Sequence, residues 1–536
     1  EIPKRDWSSD VCSSDLAFND DFYRGATARF TWQAAPKHKI GVAFDYSHGC
    51  ECPRSLNATT APESNITNWA PLPKWFGFLE WTSPYTSRLL LEGRFHYNVE
   101  HGYRPYRNYY FTTDPGTARL SSVLEQSTGL NYRAAIVNTN DTWNLNSQGG
   151  LTASYITGAN AIKVGFNLSS PRQYQYSYDI DSPMSFRFNN GIPNQITLRA
   201  TPWRRGVRAV DDGFFGQDRW TVGRLTATGG FRYDYYHVTF PGDGESVAMP
   251  GLFAPGRNIV FPAADGVRWH ATSPRMGAAY DLFGNGKTAL KIGLNKYLTY
   301  YSFANAGQAG GEFTTLMAPL SRLVTTTTRS WNDANRNFVP DCELLNPVAN
   351  GECGPFADPL FGSTRPGSSY DPDTLKGWNN REYNWQFNAG IQHQLFTGIS
   401  VDLGYFRTTF GNPTILKNRA LTAADFDQFS ITAPVDPRLP GGGGYKIDGL
   451  YNVKPDKFTA VDNYYTYASK YGKQTNVWNG IDATVNLRQF HGLTLNGGVN
   501  SGRRTTDNCE VVRAAPELLG SNPASFCHVQ EKFLTQ

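Results

Sequence analysis

The sequence predicts an all-β fold: a transmembrane antiparallel β-barrel wall with long extracellular loops. Three features carry that expectation. Segments of alternating apolar and polar residues recur along the chain, they come in pairs joined by tight turns, and the connections between pairs run to tens of residues. A soluble sandwich strand also alternates, but it is about 5–6 residues long, whereas a tilted membrane-spanning strand needs roughly 9–11.

The pairs can be taken in chain order. Ala26, Ala28, Phe30, Trp32 and Ala34 form an apolar row that turns at Pro36–His38 into Ile40, Val42, Phe44 and Tyr46, with Arg29, Thr31, Gln33, Lys39 and Asp45 between them. Trp75–Trp81 turns through Ser83–Tyr85 into Leu89, Leu91, Phe95 and Tyr97, set against Arg88, Glu92, Arg94 and His96. Leu151–Ile156 turns at Thr157–Asn160 into Ile162, Val164 and Phe166. In Phe214–Val238 the turn is Thr221–Arg224; beyond it Leu225, Ala227, Gly229, Phe231, Tyr233 and Tyr235 share one face, and Thr226, Thr228, Arg232 and Asp234 the other. Met276–Leu282 meets Leu290, Ile292 and Leu294 across Phe-Gly-Asn-Gly-Lys, a turn chemistry hairpins favour. Trp385, Phe387, Ala389 and Ile391 meet Val401, Leu403 and Tyr405 across Phe396–Ser400, and Ile481, Ala483, Val485 and Leu487 meet Leu493, Leu495 and Val499 across Phe490–Gly492. These hairpins predict about fourteen spanning strands of the kind found in outer-membrane barrels.

The connections orient the wall. The turns above are short, whereas 49–72, 99–142, 239–272, 300–380 and 411–470 are long and read as structureless. Outer-membrane barrels place short turns on the periplasmic side and long loops outside. Composition agrees: 14% of residues are aromatic, including 29 Tyr and 33 Phe, the residue types that girdle such barrels. No run of about eighteen apolar residues exists, so helical spans are excluded. A mean hydropathy of -0.47 is compatible, because a barrel hides half its strand residues from lipid. A Tyr-rich soluble all-β secreted protein is the alternative that strand length disfavours. The net charge of +4 points to no particular partner, and no Lys/Arg cluster has the density of a nucleic-acid surface.

Residues 1–16 are set apart. Trp7–Leu16, WSSDVCSSDL, resembles the translated constant adapter of short-read sequencing libraries, so 1–16 is expected to be non-native and 17–536 to be barrel. Setting Cys12 aside leaves six cysteines in predicted external loops, where an export route permits disulfides: Cys342 with Cys353, Cys509 with Cys527, and Cys50 near Cys52. Spacing alone does not prove connectivity, and the one-residue gap at Cys50-Glu-Cys52 makes a strained ring, so either thiol could pair elsewhere. His48 beside them also admits a metal reading, but structural cysteines are the simpler one.

Asp333, Asn335, Asn337 and Asp341 place oxygen side chains at alternate positions, followed by a carboxylate, a pattern that can wrap calcium. Phe338 stands where an EF-hand needs Gly and Leu344 where it needs Glu, so the competing reading is an Asn/Asp-rich turn closed by the neighbouring disulfide. No other cofactor is suggested. Gly441–Gly444 has no strand before it or helix after it to make a phosphate cradle, and no HExxH or GxSxG is present, so no enzyme is expected. Asp211 and Asp212 are read as starting a strand at the rim or lumen.

The runs FFGQDRWTVGRLTATGGFRYDYYHV, SPRMGAAYDLFGNGKTALKIGLNKY, EYNWQFNAGIQHQL and NRALTAADFDQFSITAPVDPRLPGGGGY resemble the barrel of TonB-dependent outer-membrane receptors, and more closely the Oar-like branch, whose members carry a carboxypeptidase-regulatory-like domain. The resemblance implies a barrel of roughly 22 strands closed by a plug. Energy would come from the inner-membrane TonB complex through an N-terminal region. About fourteen strands would then be a fragment lacking plug and C-terminal strands. It also implies uptake of a scarce, bulky solute of unknown identity across the outer membrane of a Gram-negative bacterium, with lipid and TonB as partners and no nucleic acid. Arg29, Arg94, Arg232, Lys291 and Arg488 would face the lumen and meet plug or solute, or simply hydrate a polar interior, and loop aromatics such as Tyr109, Tyr110 and Phe111 could stack on a ligand. The alternatives are a surface protein for adhesion or secretion without transport, and a passive porin.

Overall fold

The structure, a computed structural model, describes residues 21–51, 57–61, 64, 70–103, 120–134, 139–179, 182–242, 244–299, 317–458, 460–490 and 492–532. Its main body is an 18-stranded sheet. Fourteen of those strands are long, from 11 residues in Thr288–Leu298 to 20 in Trp203–Val222, and the rest are short additions at the rim. Among the described residues no helix is long and apolar enough to cross a membrane. The strands cross instead, and in hydrocarbon that demands that each backbone group find its partner in a neighbouring strand.

The long strands are all antiparallel and pair in chain order, as sequential hairpins must. Asp21–Ala35 pairs with His38–Glu51, which pairs with Ala70–Pro84, and that with Leu89–Tyr103. Thr139–Thr157, Asn160–Tyr178, Trp203–Val222, Leu225–Phe240, Ala264–Asp281 and Thr288–Leu298 continue the series, followed by Tyr383–Phe396, Ile399–Gly411, Thr475–Phe490 and Leu493–Asp507. Among the described residues, Asp21–Ala35 has one neighbour and Leu493–Asp507 has, besides its hairpin partner, only the short His528–Lys532 strand. The sheet is therefore open at both margins.

Each hairpin turns tightly at the same end of the wall. At Val222–Leu225 the chain reverses through Gly223, whose φ of +55° suits a residue without Cβ. In the turn after Asp281, the carboxylate accepts the N–H of Gly284 at 3.0 Å and of Gly286 at 2.8 Å, so the side chain closes a loop the backbone leaves open.

The structure corrects the sequence reading in two places. The hairpin read as Phe214–Val238 extends to Trp203 and Phe240, so Asp211 and Asp212 lie inside a strand rather than at its start. The long connections are not structureless: they hold a five-stranded, a three-stranded and a two-stranded sheet. The structure also shows which face is dry along the second strand of that hairpin. Along Leu225–Phe240 the odd positions to Tyr235 carry the exposed apolar row, with Phe231 54% exposed, while the even positions Arg232 and Asp234 are polar. Above that point the polarity inverts. Tyr236, Val238 and Phe240 stay on the even face yet are buried, Val238 at 0% exposure.

This inversion marks the outer limit of the membrane. Below it lipid must be met on one face; above it both faces would be wet, and the apolar side chains are covered by folded loops instead. Val207, Ala209, Val238, Phe240, Val267 and Trp269 form a core with Ala318 and Tyr465, which come from two different connections. The Trp269 indole donates to the Thr374 carbonyl at 2.8 Å, fixing the short Pro372–Leu375 helix against the wall.

Candidate functional site: the polar face and its extracellular cap

Alternation places Arg29, Arg94, Arg232, Lys291 and Arg488 on the polar face of the wall, where each lies beside other polar side chains. Arg29 pairs with Glu80 at 2.8 Å, Arg94 donates to the Asn167 amide oxygen at 3.0 Å, Arg232 pairs with Asp234 at 2.7 Å, and Lys291 donates to Gln392 at 2.7 Å. Arg94 and Arg232 come together: they line both a cavity of about 520 Å³, with Glu92, Lys163 and Arg275, and an adjoining one of about 630 Å³, with His96, Asp211 and Tyr236. Arg29 reaches the first cavity through Glu80, whereas Arg488 stands apart in a cavity of about 400 Å³ with Gln392 and Asn486. The arrangement offers a polar, mixed-charge strip to whatever occupies it, and no group in it is poised as nucleophile and base.

Above the strip lies the cap. Its five-stranded sheet runs Thr326–Ser330, Ile192–Arg199, Met184–Asn189, Ser122–Glu125, Leu130–Tyr132. It buries Phe186, Phe188, Ile196, Leu198 and Trp331 around the Cys342–Cys353 disulfide. Cys509 is bonded to Cys527. Cys50 is disulfide-bonded as well, while Cys52 lies outside the described residues, as do Cys12, Tyr109, Tyr110 and Phe111. His48 packs edge-on against Phe22.

The structure gathers Asp333, Asn335, Asn337 and Asp341 into one turn. The Asp333 carboxylate accepts the N–H groups of Asn337 and Phe338, both at 3.1 Å, and the Asp341 carboxylate accepts the side-chain amides of Asn335 at 2.6 Å and Asn337 at 3.0 Å. Glu352 closes the other side by accepting the Ala334 N–H at 2.8 Å. Among the described residues no three His, Cys, Asp or Glu side chains converge on one point, so calcium here would depend on asparagine and backbone oxygens beside the two aspartates.

Several residues that organise the cap carry no sequence signal. Arg329, 2% exposed, donates to the carbonyls of Gly354, Asn346 and Val348 at 2.9–3.2 Å, holding the disulfide loop around one guanidinium. Asp371 caps the Pro372–Leu375 helix, accepts Thr466 Oγ1 at 2.5 Å and pairs with Lys470 at 2.5 Å. Burial pushes its carboxyl up, but hydrogen bonds from Lys470, Thr466 and the Asp373 N–H outweigh that and hold it below the ordinary value. Glu125 accepts the Ser127 hydroxyl at 2.5 Å and the N–H groups of Asn190 and Gly191 at 2.8 and 2.9 Å, which joins one strand end to the next hairpin. The Ser127 hydroxyl, then the Gly191 N–H, bring its carboxyl down to about 2. Only the periodic residues, cysteines and Asx-rich turns could have been found from sequence.

Comparison with known proteins agrees with this architecture. A family model described as outer membrane beta barrel domain matches residues 14–498. Among solved structures, the alcaligin outer membrane receptor of Bordetella pertussis is 9% identical over 91% of this chain and 53% of its own, with a TM-score of 0.43. The outer membrane transporter YddB of Escherichia coli is 10% identical over 91% of this chain and 48% of its own, at 0.45. The ferripyoverdine receptor of the outer membrane of Pseudomonas aeruginosa is 10% identical over 90% and 49%, at 0.43. The chain thus spans about half the length of each. A search of curated proteins returns no match.

Proposed function

Because the chain belongs to the outer membrane beta barrel domain family and so resides in the outer membrane of a Gram-negative bacterium, we propose that it supplies barrel wall and extracellular cap to a TonB-dependent receptor. That receptor, of the Oar-like branch, would take up a scarce, bulky solute by energy-coupled transport. One observation carries the reading: two long connections fold back onto the polar side of the wall and bury Trp269, Val238 and Phe240 beneath them. A passive porin needs an open aqueous mouth, and an adhesin needs its loops turned outward. Packed loops above a polar strip suit a receptor that first captures its solute and then admits it.

On this reading the polar face lines the lumen, and Arg94, Arg232 and their neighbours meet a plug or the passing solute. The open margins at Asp21–Ala35 and Leu493–Asp507 are closed by further strands, because unpaired sheet edges do not persist in hydrocarbon. The test is uptake by cells carrying the intact protein, with the TonB complex present or inactivated. Accumulation that disappears without TonB supports the proposal; equal accumulation in both would end it in favour of passive passage.

A further inference from the structure

The outward face of the wall carries a feature that solute uptake does not use. At the level where polarity inverts, the outward side chains change from apolar to aromatic and then to basic. Strand register fixes the ladder. Tyr235 lies opposite His270, and His270 opposite Trp378 of the short Lys376–Trp378 strand; one step further out, His237 lies opposite Arg268 and Arg268 opposite Lys376. On the other side, Arg208 lies opposite Arg172. The aromatic rung is packed as a ledge: His270 stacks on Trp378 with ring centres 5.1 Å apart, Tyr233 lies 5.6 Å from Trp378, and the Tyr233 hydroxyl meets His270 Nδ1 at 2.7 Å. Trp378 is 60% exposed, facing away from the wall.

The charges above this ledge are only half compensated. Arg268 pairs with Asp265 at 3.0 Å and Arg208 with Glu245 at 2.6 Å. Arg172 and Lys376, both exposed, have no carboxylate partner among the described residues. Aromatic rings at the bilayer boundary with uncompensated cations one rung outward match a lipid whose apolar part lies below the boundary and whose headgroup carries phosphate.

We propose that Arg172, Arg208, Arg268 and Lys376, above the ledge of Tyr233, His270 and Trp378, form a binding site for the phosphate groups of a phosphorylated lipid of the outer leaflet. The rings pack on its sugar or glycerol and the first carbons of its chains. Arg172 and Lys376 lie four strands apart, so one phosphate accepts from Arg172 and Arg208 and a second from Lys376 and Arg268, with Arg208 and Arg268 shared with Glu245 and Asp265. The site rests on the outer-membrane placement and the register, and stands whether or not the chain transports anything.

Native mass spectrometry of the purified protein in an uncharged detergent tests it, with bisphosphorylated lipid A and its dephosphorylated form as probes. The phosphorylated form should bind more tightly, and increasingly so at low ionic strength. Arg172→Gln with Lys376→Gln should weaken it by roughly 25-fold, about fivefold for each cation removed near an anionic surface. The charge-keeping pair Arg172→Lys with Lys376→Arg should retain binding, and so should Arg336→Gln in the distant Asp333–Asp341 turn. Unchanged heat-resistant migration of the barrel in gels confirms that the variants fold. Equal binding of the two lipid forms, or affinity unmoved by the Gln pair, would overturn the proposal. Binding of inorganic phosphate alone as tightly as the phosphorylated lipid would overturn it too, as it would mark a site for free anions.

Discussion

Arg329 shows how one residue can organise a loop that sequence leaves blank. Its guanidinium is enclosed by carbonyls of Asn346 and Val348 within the Cys342–Cys353 segment and of Gly354 just beyond it, and lies 5.2 Å from the Phe356 ring centre. Arg329→Met would leave those acceptors buried without a donor, and about 3 kcal/mol of cap stability should be lost. Limited proteolysis should then cut between Cys342 and Cys353 while the wall strands resist. Glu125 makes a pH-dependent counterpart. Its carboxyl sits near 2 against an ordinary 4.5, so its contribution is present above about 4.5 and is lost as pH falls toward 2. Protection of the Asn190 and Gly191 amides, relative to their intrinsic exchange at each pH, should fall across that window, and Glu125→Gln should remove this pH dependence of protection. For the Asp333–Asp341 turn, calcium is a proposal that calorimetry tests: binding heat should vanish in Asp333→Ala with Asp341→Ala, and equal heats would leave a turn held by its own hydrogen bonds. The paired cysteines and the Asx-rich turn were legible because their chemistry is local. Arg329 and Asp371 were not, because their partners are backbone carbonyls or side chains about a hundred residues away.

Among elements, the hairpins were legible and their outer ends were not. Strict alternation from Leu225 to Tyr235 reads as a membrane strand because one face is lipid. At Tyr236 the period of two continues, but the apolar set moves to the other face, so a sequence reading that follows one apolar row loses it where only the surroundings change. The same principle hid the cap strands, which are short and draw their dry faces from distant connections. Two substitutions separate the regimes. Phe231→Arg puts a cation on the lipid face and should cost about 2–4 kcal/mol of membrane stability, seen as poorer insertion and a lower unfolding midpoint in lipid. Trp269→Ala, at a side chain 1% exposed, should leave insertion intact and cost about 3–5 kcal/mol in the cap, seen as new cleavage between residues 317 and 380. If Trp269→Ala blocked insertion as Phe231→Arg does, the boundary at Tyr235 would be misplaced.

At the scale of the whole molecule, strand order was legible because each hairpin is local and each neighbours the next. Closure is a different matter, since no periodicity says which strand meets Asp21–Ala35. Residues such as Phe30 and Trp32 are exposed on a strand whose backbone, among the described residues, pairs on one side only, with Val42 and Ile40 opposite them. Half of its N–H groups face away from that partner, and in hydrocarbon each unsatisfied group costs several kcal/mol. In the intact protein in a bilayer, these outward amides should therefore exchange as slowly as those of Leu225–Phe240, which is paired on both sides. Rapid exchange confined to the outward set would mean that the strand borders water inside a larger assembly rather than another strand. The proposed barrel closure would then fail, while the wall, its register and its cap would stand.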